Sequence, residues 1–267
     1  MIYNPPSGAF LNYRRFNFLM VLVAVLLSMI ACAGYCDDVV PGQTAQKLHL
    51  EKKQILDTDY LLFLPKGYGE DTNKRWPLIL FLHGAGERGS NVWSIAKNGL
   101  TKVDTRMTNF PFIVVSPQCP EGQMWSDDSL IALLDEVESK YAVDTHRVYL
   151  TGLSMGGFET WNLGLSHPER FAAIAPVCGG GETIMLTLAL DFDKVRLEKT
   201  RTLGVWAFHG GKDATVMTGE SVRMVDELKK IGCTDVKLTI YPEAKHDSWT
   251  QAYAEPELYA WFLQHSR

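Results

Sequence analysis

The sequence predicts an α/β fold, with a mostly parallel central sheet flanked by helices on both faces. Three observations predict it. Short continuous apolar runs, such as Pro77–Leu82 (PLILFL) and Phe171–Val177, have the character of strands buried on both faces. Segments with helical spacing of their apolar residues lie between these runs, at the separations that crossover connections need. Glycine-rich turns then follow several of the runs.

The N-terminal stretch differs from the rest. Met1–Ala33 holds no acidic residue and two basic ones, Arg14 and Arg15, ahead of the almost wholly apolar Phe16–Ala31. Ala31-Cys32-Ala33 is a small-residue cleavage site, so residues 1–33 read as a cleaved secretory signal and the protein as secreted or periplasmic. Two alternatives stay open. Met29–Cys32 resembles a poor lipobox, which puts a lipid on Cys32 and makes the chain a membrane-anchored lipoprotein; an uncleaved anchor is the other. The Arg14-Arg15 pair invites a twin-arginine reading, but Asn17 interrupts the apolar positions after it. Residues 34–46 are polar with Gly and Pro and read as a linker, leaving 47–267 as one domain.

Within that domain, Lys47–Ile55 and Asp59–Pro65 read as two early antiparallel strands. After the strand Pro77–Leu82 comes the glycine-rich loop His83–Gly89, and Ser90 is placed to cap a helix running to about Leu100. Phe112–Val115 is the next strand. Gly122–Asp128 is a loop, and an amphipathic helix runs from Asp127 or Asp128 to about Tyr141 with Leu130, Leu133, Leu134 and Val137 on one face. A strand at Val148–Leu150 and a helix at Phe158–Leu165 follow. Strands at Phe171–Val177, Thr202–Phe208 and Val236–Tyr241 alternate with a helix at Met217–Ile231, and Pro256–His265 is the last helix. Glu182–Thr200 matches no pattern and could form a small cap element. Right-handed crossovers bring the C-terminal end of every parallel strand to one edge of the sheet, where open α/β sheets bind ligands.

The chain is organised around Arg147–Gly157 (RVYLTGLSMGG). Gly152-Leu153-Ser154-Met155-Gly156 fits G-x-S-x-G, with an apolar strand before it and a helical pattern after it. A serine on so sharp a turn holds its hydroxyl clear of the sheet, and the N–H of Met155 points to where an oxyanion forms. A serine hydroxyl needs a base, and the base needs an acid to orient it. His246, in YPEAKHDSW, lies between the last strand and the last helix, within reach of Ser154; Asp213, in FHGGKD, lies just past the preceding strand. Asp247 adjoins the histidine too closely to orient its ring, and Asp191 and Asp193 are the other acids in range. His83-Gly84-Ala85-Gly86 supplies a loop with bare backbone N–H groups, and that of Ala85 is the expected partner of Met155. Glu87 and Arg88 are expected to pair with each other and fix the loop, with direct substrate contact as the alternative; His83 and His209 are expected to fix their loops.

Composition narrows the function. At 46% hydrophobic, 21% charged and net charge −5, the chain is globular and has no electrostatic support for binding nucleic acid. The spacing of its cysteines matches no zinc site. Cys36, Cys119, Cys178 and Cys233 remain after signal removal, and either a Cys119–Cys178 bridge or buried free thiols fits.

The motifs HGAGERG, GLSMGG, FHGGKD and KHDSW, in that order, resemble those of α/β-hydrolases. They are most similar to the serine esterase group of feruloyl and acetyl-xylan esterases and polyhydroxybutyrate depolymerases. The resemblance runs from about Lys47 to the C-terminus and extends to the catalytic domain of prolyl oligopeptidases. It implies an acyl-enzyme mechanism with no metal or organic cofactor, Ser154, Asp213 and His246 as triad, and Ala85 and Met155 as oxyanion donors. With Ser154 and Asp213 only 59 positions apart, there is little room for a large lid, so an open cleft and a polymer-borne ester are expected. Trp125 and Trp249 lie on loops that flank such a cleft and offer faces to a sugar or phenolic group. A carbohydrate-linked acetyl or feruloyl ester is the leading substrate class. A serine peptidase is the alternative, and a catalytically inert binding module the third reading.

Overall fold

A computed structural model of the chain describes residue 47 and residues 57–103 and 109–267, the two longer stretches within the unit Ile55–Arg267. The signal, the linker, Cys32, Cys36 and, apart from Lys47, the strand expected at Lys47–Ile55 lie outside the described residues.

Seven strands among these residues form one sheet, ordered β1-β3-β2-β4-β5-β6-β7. Strand β1 (Tyr60–Phe63) runs antiparallel to β3 (Ile113–Pro117). Strands β2 (Trp76–Leu82), β4 (Val143–Leu153), β5 (Ala173–Val177), β6 (Gly204–Gly210) and β7 (Val236–Tyr241) make every other pairing parallel. The winding reverses at β2, which has β3 on one side and β4 on the other. The ends of β2 and β4 therefore open the crevice that a reversal of strand order leaves at the C-terminal edge.

The apolar runs form central strands because both of their faces are covered. Along β2, Leu78, Leu80 and Leu82 enter one core cluster, while Ile79 and Phe81 enter the other. The first cluster takes in helix α2 (Asp127–Lys140) through Leu130, Leu133, Leu134 and Val137, as its spacing predicts. Helices α3 (Met155–Ser166) and α6 (Gly219–Lys230) join it through Trp161 and Met224. The second cluster takes in the short α1 (Leu100–Val103) and the last helix, α8 (Pro256–Phe262), through Leu100, Leu258 and Phe262. Fully burying one such side chain stabilises the fold by about 1.5–3 kcal/mol. No helix of the described residues is long and apolar enough to cross a membrane.

Two expected bounds need correction, and two open readings are resolved. The helix expected from Ser90 to Leu100 is a 3-10 stretch at Val92–Lys97 followed by α1, and Asn91 rather than Ser90 caps it by accepting the N–H of Trp93 at 3.1 Å. The break falls at Gly99, whose φ of 67° lets its backbone lie against the Phe81 ring. Glu182–Thr200, which matched no pattern, contains α4 (Ile184–Phe192) and most of α5 (Lys194–Thr202). Strand β6 accordingly begins at Gly204 instead of Thr202, since α5 occupies the residues before it. Cys119, Cys178 and Cys233 are buried free thiols, so the Cys119–Cys178 bridge is not formed.

Candidate active site

Ser154 stands alone between β4, which ends at Leu153, and α3, which begins at Met155. Its φ of 53° and ψ of −115° fall outside the ordinary regions for a residue with a side chain. Two backbone bonds hold it there: its N–H donates to Val177 O at 3.0 Å, and its carbonyl accepts the N–H of Phe158 at 2.9 Å. The turn can be this tight because Gly156 faces backbone. A Cβ there would sit 2.1 Å from Leu82 O.

Three loops at the C-terminal edge bring the expected triad together. His246 Nε2 lies 2.9 Å from Ser154 Oγ, and His246 Nδ1 lies 2.8 Å from Asp213 Oδ2. Asp213 Oδ1 accepts the N–H groups of Thr215 and Val216 at 2.9 and 3.0 Å. The Asp213 side chain is wholly buried, whereas His246 keeps 22% of its surface exposed. Burial alone would raise the Asp213 carboxyl, but the bonds from His246, Val216 and Thr215 outweigh it and hold the group below the usual carboxylate range. An ionised Asp213 requires a proton on Nδ1 of His246, which leaves Nε2 free to accept the serine O–H.

His209 adds a support that sequence reasoning missed in this form. It is fully buried, with Nε2 at 3.0 Å from Val216 O and 3.4 Å from Asp213 Oδ2. Both of those groups accept, so Nε2 carries the proton. Nδ1 meets Ser221 Oγ of α6 at 2.7 Å. The loop of Asp213 is thereby tied to the first turn of α6, a contact that no local pattern signals. Asp191 lies exposed on α4, Asp193 caps α5 by accepting the N–H of Arg196, and Asp247 is exposed; none of the three bonds to His246.

The loop after β2 lies against the elbow. Ala85 opens a 3-10 turn, Ala85–Glu87, and a Cβ on the preceding Gly84 would sit 3.5 Å from Ser154 Cβ. Ala85 thus follows a residue packed against Ser154, and Met155, the first residue of α3, adjoins the serine in the chain. His83 is buried behind the loop; its Nδ1–H donates to Gly84 O at 2.6 Å and its Nε2 accepts the N–H of Cys119 at 3.0 Å. Burial lowers its pKa, in keeping with a neutral ring that donates and accepts at once. The Glu87 carbonyl accepts from Ser94 Oγ at 2.9 Å and from Gln118 Nε2. The ion pair expected between Glu87 and Arg88 is not formed. Arg88 donates to Ala85 O at 3.1 Å and Gln123 O at 3.0 Å, and Glu87 Oε1 accepts from Asn98 Nδ2 at 2.6 Å.

The two tryptophans are half-buried. Trp125 packs 4.8 Å from the His83 ring, and Trp249 stands edge-on to His246 at 5.4 Å. Burial pushes the Cys178 thiol up to about 12 and that of Cys233 to about 11, far from the range of a reactive thiolate. Among the described residues no three His, Cys, Asp or Glu side chains converge to hold a metal.

Known proteins resemble this chain in sequence and in fold. The family model described as phospholipase/carboxylesterase matches residues 115–255, just over half of the chain. Poly(3-hydroxyalkanoate) depolymerase C of Paucimonas lemoignei is 28% identical over 49% of this chain and 34% of its own. The bifunctional acetylxylan esterase/xylanase XynS20E of Neocallimastix patriciarum is 32% identical over 39% of this chain and 16% of its own. The probable feruloyl esterase C of Aspergillus terreus is 24% identical over 48% of each. The chain thus spans less than half the length of these relatives. A solved thermostable esterase superposes with a TM-score of 0.64 at 30% identity, over 79% of this chain and 60% of that one. A ferulic acid esterase shares the fold at a TM-score of 0.60 and 19% identity, over 76% of this chain and 90% of that one. The chain belongs to the phospholipase/carboxylesterase family and has the α/β-hydrolase fold.

Proposed function

We propose that the protein is an exported serine esterase that removes acetyl or feruloyl-type groups from carbohydrate. The observation that carries this reading is the hydrogen-bonded line from Ser154 through His246 to Asp213, at 2.9 and 2.8 Å, beneath a loop of bare N–H groups. Ser154 Oγ attacks the ester carbonyl while His246 Nε2 takes its proton. The N–H groups of Ala85 and Met155 hold the oxyanion, each worth about 3–4 kcal/mol of transition-state stabilisation. The tetrahedral intermediate collapses, His246 gives the proton to the departing alcohol, and an acyl-Ser154 ester remains. Water then attacks that ester with His246 as base, releases the acid and restores the serine. Trp125 and Trp249 line the approach and stack on a sugar or a phenolic ring. The substrate class rests on similarity to acetylxylan and feruloyl esterases and on the exposure of the His246 edge. Export rests on the apolar segment after Arg14 and Arg15.

The test compares initial rates on acetylated xylan, methyl ferulate and a proline-containing peptide amide, with Ser154→Ala as control. Ester turnover lost with Ser154 is the expected result. Turnover unchanged in Ser154→Ala, or amide cleavage at a comparable rate, overturns the reading.

A further inference from the structure

Glu87 is an unusual neighbour for an oxyanion site. The residue is 8% exposed, in the loop that follows β2. One carboxylate oxygen, Oε1, is held by Asn98 Nδ2 at 2.6 Å. The other, Oε2, has no hydrogen-bond partner in the described protein, yet it is not sealed from solvent. It lies 3.3 Å from the point where a Cβ on Gly84 would sit, and Ser154 Cβ lies 3.5 Å from that same point. The acceptor and the Cβ of the nucleophile thus border the same point beside Gly84, the residue that precedes Ala85. Arg88, the adjacent cation, is turned to the carbonyls of Ala85 and Gln123 instead.

A carboxylate there opposes the reaction as written. Negative charge grows on the carbonyl oxygen in the transition state, and a second negative group nearby repels it. A neutral Gln would keep the shape and the bond to Asn98 without that penalty. An acceptor with no protein partner and an opening to solvent is one that a ligand donor can complete.

We infer that Glu87 is a specificity-determining residue, whose Oε2 accepts a hydrogen bond from a substrate hydroxyl two or three bonds from the ester. The inference rests on the proposed esterase chemistry and deepens it. A partly acetylated sugar carries such a hydroxyl on the alcohol side, and a 3-hydroxyacyl ester carries one on the acyl side. The shared chemistry is a hydroxyl donor close to the scissile carbonyl.

Two substrate pairs separate the sources. 2-Hydroxyethyl acetate against propyl acetate reports the alcohol side; ethyl 3-hydroxybutyrate against ethyl butyrate reports the acyl side. Each is assayed with the full chain and with Glu87→Gln. The expected result is a loss in kcat/KM of about tenfold or more on a hydroxylated ester, the range of a bond to a charged acceptor. Its hydroxyl-free partner should be hydrolysed at the wild-type rate or faster, because the repulsive charge is gone. Selective loss in the acyl pair alone would keep this role for Glu87 and overturn the carbohydrate reading. Equal losses within both pairs, or none in either, overturn the inference. Asn98→Ala and Glu87→Asp keep the test decisive if Glu87→Gln does not fold. The first removes only the Oε1 bond and should spare the hydroxyl preference; the second withdraws the acceptor and should abolish it. The opposite pattern would make Glu87 a brace for the loop. Absence of turnover on all four esters by the unaltered protein would instead overturn the esterase function itself.

Discussion

Gly156→Ala tests whether the close approach of α3 to β2 builds the site. A Cβ at this position would lie 2.1 Å from Leu82 O, 2.6 Å from Leu82 C and 2.8 Å from His83 O. All three are backbone atoms, so no side chain can rotate away. Ordinary contact begins at 3.4 Å, and the helix must back off from the strand end by about 1.3 Å. The two parts that separate are those that carry the proposed oxyanion donors, Met155 on α3 and Ala85 on the loop after Leu82. Overpacking of this kind costs about 1–3 kcal/mol, or more where backbone is the obstacle. For a domain of this size that corresponds to a fall in Tm of about 2–12 °C. A misplacement near 1 Å costs catalysis about a hundredfold. Activity should therefore fall much further than stability. The assay is kcat/KM on p-nitrophenyl acetate beside a thermal melt followed by circular dichroism. Gly219→Ala, at the exposed start of α6, is the matched control, since its Cβ would meet nothing within 4 Å, and it should leave both readouts unchanged. A Gly156→Ala protein within threefold of normal activity would refute the idea that this contact sets the geometry of the site.

Asp213→Asn should lower kcat by about a thousandfold to ten-thousandfold with little change in Tm. The amide oxygen can still accept the N–H groups of Thr215 and Val216, but its NH2 group turned to His246 Nδ1 leaves the proton on Nε2, facing Ser154. A variant that keeps full turnover would show that another acid orients His246. A third prediction concerns Glu159 on α3, whose carboxyl is pushed up to about 8 by burial and by its neighbour Asp127. The folded protein then keeps a proton that the unfolded chain releases from about pH 4.3 upward, so stability declines as pH rises through that window and levels off above 8. Glu159→Gln mimics the protonated form and should flatten this decline, by an amount on the order of a few kcal/mol at pH 9. Melts of both proteins at pH 5 and pH 9 should show a gap that widens with pH; a constant gap would rule out the buried proton.

What was legible in the sequence was local. A strand buried on both faces announces itself as an unbroken apolar run, and Pro77–Leu82 could be read that way without a partner in view. The elbow is legible because a serine at φ 53° between strand and helix demands small residues at fixed spacing. Asp213 and His246 could be named as candidates because the topology carries each strand end to the same edge, whatever lies between. The misreadings have the opposite character. Ser90–Leu100 has the composition of a helix, but the Phe81 ring beneath Gly99 decides its path. The exposed apolar side chains of Ile184, Leu188 and Phe192 on α4 blur the contrast between faces that reveals a surface helix.

The same division runs through the site. Glu87 and Arg88 are neighbours of opposite charge, and sequence proximity alone suggested a pair. The fold offers each a better partner: Asn98, eleven residues on, for Glu87, and Gln123, thirty-five residues on, for Arg88. His209 likewise acquires its contact with Asp213 only because Ser221 of α6 holds the other side of its ring. Groups that perform bond-making chemistry must be of fixed type at fixed local geometry, so they leave a signature. Groups that orient them need only arrive at the right point in space, and any stretch of chain can supply them. The Glu87 Oε2 against Gly84 belongs to neither class, since it neither orients the triad nor helps the oxyanion. Its position makes sense if the missing partner is the substrate, and that is why Glu87→Gln should change which esters are hydrolysed more than how fast esters in general are.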